Sequence, residues 1–73
     1  MITQDEALKI ARRAIKGKVT PQQDAPVEAT LNNDQYIIVF VHINPPGRRG
    51  PDFDAKVTID ARSGKVLEIL GGP

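Results

Sequence analysis

Residues 55–70 read AKVTIDARSGKVLEIL, two alternating apolar runs on either side of a short polar segment that ends in glycine. Val57 and Ile59 alternate with Thr58 and Asp60, and the pattern resumes at Val66. Gly64 can adopt the positive φ of a tight reversal, and Asp60 can accept hydrogen bonds from turn amides. The stretch therefore predicts an antiparallel hairpin, with strands over about 53–60 and 65–70.

Working back towards the N-terminus, Thr3-Gln4-Asp5-Glu6 has the form of a capping box, which satisfies two amides at the start of a helix. Asp5 and Glu6 also suit the positive end of the helix dipole. Ala7, Ile10, Ala11, Ala14 and Ile15 follow at helical spacing, and Lys9, Arg12, Arg13 and Lys16 occupy the other side. Gly17 is a natural stop, so a helix is expected over about 4–16. Its small inward residues let it lie close against a sheet. Residues 18–26 hold Pro21 and Pro26 and read as a loop. Alternation predicts a strand over about 27–31. Asn32-Asn33-Asp34 tolerates left-handed backbone and marks a turn. The β-branched run YIIVFVHI predicts a second strand over about 36–43. Residues 44–52, NPPGRRGPD, cannot join a regular ladder, because three prolines lack donors. The expected fold is α+β: one N-terminal helix packed on a four-stranded antiparallel meander, a single domain over 1–73.

Such a chain has little room for a core. Below about 80 residues one core supplies only about 3–5 kcal/mol. With no cysteine there is no disulfide to help, and one histidine without thiols makes a structural zinc site improbable. Economical packing, an oligomer or a larger parent protein remain. The net charge of +1 gives no electrostatic reason to expect nucleic acid or an anionic membrane. No run approaches the ~18 apolar residues of a membrane-spanning helix.

The second strand is apolar on both sides. Tyr36, Ile38, Phe40 and His42 point one way, and Ile37, Val39, Val41 and Ile43 the other. Alternation assigns Val27, Ala29, Leu31, Phe53, Ala55, Val57 and Ile59 to the helix-covered face. The last strand is mixed, with Leu67 and Ile69 opposed to Val66 and Leu70. One helix covers only one side of a sheet, and the other should be polar. Either loops cover the surplus, or the exposed side of this strand meets a partner or a second copy of the chain. Tyr36, Ile38 and Phe40 are taken as that contact side. Arg48 and Arg49 stand at the tip of a proline-stiffened loop, whose guanidinium forks suit carboxylate, phosphate or carbonyl groups. Pro45, Pro46, Gly47, Arg48 and Arg49 complete the candidate protein-binding set, with a solubilising hairpin tip as the plain alternative.

Catalytic chemistry finds little to use. His42 is the only histidine and Ser63, the only serine, falls in a turn, so no nucleophile–base pair is indicated. Asp52, Asp54 and Asp60 lack the spacing of a cation loop and read as solvated acids. Gly47-Arg48-Arg49-Gly50 does not open a helix, as phosphate-binding glycine loops do. Arg12 and Arg13 with Arg48 and Arg49 lack stacking aromatics, which argues against nucleic acid. No catalytic residue, cofactor or metal ligand is assigned.

Residues 2–11, ITQDEALKIA, resemble the helix that opens PepSY domains, and residues 57–67, VTIDARSGKVL, resemble their closing hairpin. Together with the strand between them, the resemblance spans nearly the whole chain. It implies a non-enzymatic, cystatin-like helix-on-sheet module of a secreted, periplasmic or cell-envelope protein, which binds proteins and restrains or regulates peptidases. The inhibitory QxVxG motif of cystatins is absent, and residues 44–52 form a longer, more proline-rich connection than is usual. The alternatives are a small homodimeric structural domain without a ligand, paired through the second strand, and an NTF2-like immunity protein with a similar closing hairpin.

Overall fold

The computed structural model describes residues 1–23, 25–47, 50 and 53–71. The chain forms one helix, α1 (Gln4–Ile15), then four strands, β1 (Val27–Asn32), β2 (Gln35–Val41), β3 (Phe53–Asp60) and β4 (Val66–Gly71). The strands pair antiparallel in the order β1-β2-β3-β4, an α+β meander with its helix at the N-terminus.

The capping box is complete. Thr3 Oγ1 accepts from the Glu6 amide at 3.1 Å, while the Thr3 amide donates to Glu6 Oε1 at 3.0 Å. The helix stops one residue short of expectation because Lys16 is already extended and Gly17 turns the chain at φ +82°. Between β1 and β2 the two-residue loop Asn33-Asp34 has both φ values positive, 49° and 62°, the primed turn whose twist suits a hairpin. The closing turn is organised by Asp60. Its carboxylate accepts from the Arg62 amide at 2.9 Å and the Ser63 hydroxyl at 3.1 Å, and its backbone carbonyl accepts from the Gly64 amide at 2.8 Å. Arg62 also reaches Asp34 at 2.9 Å, but the pair is well exposed and adds little.

The core is small. Ala7, Ala11 and Ile15 of α1 meet Tyr36, Ile38 and Phe40 of β2, with Ala55, Val57 and Ile59 of β3 and the following Ala61. Buried alanines let the helix settle on β2, β3 and β4 at close range. The N-terminus is stitched to the same layer: the Ile2 amide donates to the Ala61 carbonyl at 2.7 Å, and the Tyr36 hydroxyl donates to the Ile2 carbonyl at 3.2 Å.

Two register shifts correct the face assignments made from alternation. Between β2 and β3 the register slips after Phe40, so that Val41 pairs with Phe53 while Phe40 pairs with Ala55. Directly opposed residues share a face, so Phe53 joins Val41 on the side away from the helix. Between β3 and β4, Ile59 pairs with Val66 but Thr58 pairs with Glu68, which leaves Leu67 as the extra residue. The bulge lets Val66 and Ile69, three apart, both pack against the core, and it accounts for the mixed pattern of the last strand. Leu31 is 49 % exposed although it was expected under the helix. It lies at the turn end of edge strand β1, outside the footprint of α1 on β2, β3 and β4.

Candidate interaction surface

The side of β2 taken as a contact surface is the core. Tyr36 is 8 % exposed, Ile38 is fully buried and Phe40 is 1 % exposed, all beneath α1. Alternation correctly separated the two sides of the strand, but both are apolar, and hydrophobicity alone cannot say which one a helix will cover. The outward side holds Ile37, Val39 and Val41, each partly exposed. Their neighbours across the ladder are Thr30 and Thr58 for Ile37, Glu28 and Lys56 for Val39, and Phe53 for Val41.

Pro45, Pro46 and Gly47 are exposed, on the connection between β2 and β3. Arg48, Arg49 and Asp52 lie outside the described residues. The base of this connection is fastened by a polar clip that sequence reading missed. The Gln22 side chain bonds both backbone groups of Ile43, its Oε1 accepting from the amide at 2.7 Å and its Nε2 donating to the carbonyl at 3.3 Å. In effect the amide side chain takes the place of a neighbouring strand, which is why β2 ends at Val41 rather than at Ile43. Asp54 completes the clip. Its Oδ2 accepts from the Gln22 amide at 2.7 Å, and its Oδ1 lies 2.8 Å from His42 Nδ1. A carboxylate can only accept, so Nδ1 is the protonated ring nitrogen here. His42 thus has a structural task, holding the start of β3 to the end of β2. Asp54, expected as a solvated acid, has a side chain only 15 % exposed. The contacts join residues 21 and 32 apart, and no local motif announces them.

Replacing Asp54 with alanine leaves the Gln22 amide and His42 Nδ1 without their acceptor, a loss of about 1–3 kcal/mol for a partly buried pair. The expected result is faster amide exchange at Gln22 and Ile43 with α1 protection little changed. Unaltered exchange at both amides would show that the clip does not hold the loop.

Beside the clip a cleft of about 420 Å³ opens, lined by residues that include Arg12, Pro21, Gln22, Pro26 and Phe40. The Arg12 guanidinium lies 5.7 Å from the centre of the Phe40 ring and shields its edge of the core. Among the described residues, no group of three or more His, Cys, Asp or Glu side chains comes together.

Two carboxyl groups are held below their usual range. For Glu6 the main cause is the hydrogen bond from the Thr3 backbone amide, and for Asp60 it is the bond from the Arg62 amide. A carboxylate with a lowered folded-state pKa stabilises the fold above its ordinary range, and that contribution is lost as pH falls. The urea midpoint is therefore expected to stay level from neutral pH and to drop below about pH 4. A Glu6→Gln/Asp60→Asn double variant should show a shallower drop, and an identical acid profile would discount both groups.

Among the described residues, no helix is long and apolar enough to cross a membrane. Searches of curated proteins and of solved structures returned no match. The profile of the PepSY family, described as "Peptidase propeptide and YPEB domain", matches residues 1–70, from the capped helix into the last strand of the meander. The chain belongs to the PepSY family.

Proposed function

We propose that the chain is a non-enzymatic protein-binding module that restrains or regulates a peptidase, carried by a secreted or cell-envelope protein. The observation behind this reading is the match of residues 1–70 to a family of peptidase propeptide domains. The contact surface proposed is the connection between β2 and β3, at Pro45, Pro46, Gly47, Arg48 and Arg49. Support for that choice comes from the clip at its base, where Gln22, His42 and Asp54 hold both flanks of the loop to the sheet. A loop whose base is already fixed loses less freedom on docking, and the cationic forks of two arginines suit carboxylates or carbonyls on a partner.

Titration of the purified chain into a panel of secreted peptidases tests the reading. Inhibition, or a measurable complex with at least one of them, is expected. An Arg48→Ala/Arg49→Ala variant should bind at least about tenfold more weakly, the loss of about 1.4 kcal/mol of interface energy. Equal potency of the two proteins would remove the loop from the site, and no complex across the panel would count against peptidase regulation itself.

A further inference from the structure

The outward face of the sheet has a feature that neither the peptidase reading nor the loop uses. In its middle row Glu28 of β1, Val39 of β2 and Lys56 of β3 stand side by side. The adjoining row is Thr30, Ile37 and Thr58, and on the other side Val41 pairs with Phe53. The face is thus an apolar stripe along β2, with an acid on one flank and a base on the other. Two strand spacings, about 9.6 Å, separate the flanks, and Glu28 and Lys56 of one molecule do not pair with each other. Among the described residues neither has an ion-pair partner. No described element packs on this side, since α1 lies on the opposite one.

The geometry points to a second copy of this chain as the occupant, packed face to face about a two-fold axis that runs along β2. Such an axis exchanges left and right flanks and keeps position along the strand. It lays Ile37, Val39 and Val41 against the same residues of the other copy. It also sets Glu28 of each molecule opposite Lys56 of its mate, so one interface makes the pair twice, as an isologous contact requires. Thr30 meets Thr58, and no like charges are brought together among β1, β2 and β3. Sheet twist turns the aligned packing by about 30°, which side chains of this length can follow.

Area sets the strength. With the axis on β2, only β1, β2 and β3 overlap the mate, and three strands of about six residues cover roughly 14 by 20 Å, or about 280 Å² in projection. Two such faces hide about 600–700 Å² in total, well below the usual size of a stable interface. The pair is therefore weak and concentration-dependent.

Sedimentation equilibrium over a concentration series, from about 10 μM to 1 mM, reads the association directly. The expected result is a mass that rises from one chain towards two. Val39→Lys should leave the far-ultraviolet circular dichroism unchanged and weaken dimerisation at least about tenfold. Glu28→Lys alone should weaken it by a similar factor, about tenfold, by setting lysine against lysine. Glu28→Lys combined with Lys56→Glu should restore it, because the exchanged pair is again opposite in sign. A strict monomer at 1 mM overturns the proposal. So does a dimer indifferent to Val39→Lys, which would place the contact on a sheet edge, or one that the double exchange fails to rescue.

Discussion

Phe40→Ala is expected to leave most of the chain unfolded at 25 °C. Phe40 is the largest fully buried side chain, 1 % exposed between α1 and the sheet. Truncating a buried phenylalanine costs about 3–5 kcal/mol, through lost transfer energy and the cavity left behind. A core in a chain this size supplies only about 3–5 kcal/mol in all. The two quantities are of the same size, so little net stability remains. Urea titration followed by circular dichroism should show either no folded baseline or a midpoint close to zero denaturant. Val41→Ala, one residue further along and on the opposite side, removes a partly exposed side chain and should shift the midpoint far less. The comparison tests the orientation of β2 itself. A stable Phe40→Ala protein would return Tyr36, Ile38 and Phe40 to the surface and bring back the reading of the strand that the burial values overturn.

Ala11→Leu should destabilise by the opposite mechanism. Ala7 and Ala11 are fully buried where α1 rests on the sheet, and small side chains set that distance. Three extra carbons at Ala11 must either push the helix off the strands or force neighbours out of their rotamers, a penalty of about 1–3 kcal/mol. Leucine and alanine are both good helix formers, so helix propensity contributes only tenths of a kcal/mol. The midpoint should fall accordingly, and the Ile2 and Tyr36 contacts at the end of the same layer should loosen. If Ala11→Leu were neutral, the close approach of α1 would not be what closes the core.

What the sequence disclosed depended on range. The helix start, both tight turns and the meander order were legible because each is written in neighbouring residues: Thr3 with Glu6, Asn33 with Asp34, Asp60 with Gly64. Errors arose where one ladder acts on another. The slip after Phe40 moves Phe53 across the sheet, and alternation within β3 carries no sign of it. The bulge at Leu67 places Val66 and Ile69 on one face and shows in the sequence only as the mixed pattern of the last strand. β2 presented two apolar sides of similar composition, and only the position of the helix decides between them. The clip was out of reach for a different reason. Gln22 in a polar loop is chemically unremarkable until Ile43 and Asp54 are beside it, and their placement comes from the finished sheet.

The stitching of Ile2 to Ala61 and Tyr36 has a consequence for the order in which the molecule can be made. Each strand pairs with the next one in the chain, so successive hairpins can close as they leave the ribosome. The helix is made first but has no surface of its own to rest on until β2, β3 and the turn at Ala61 have emerged. A twelve-residue helix alone is marginal in water, however well it is capped. Of the five elements, then, the helix is made before the strands and placed after them, and until then its apolar face is open to chaperones. In this chain the beginning is completed by the end.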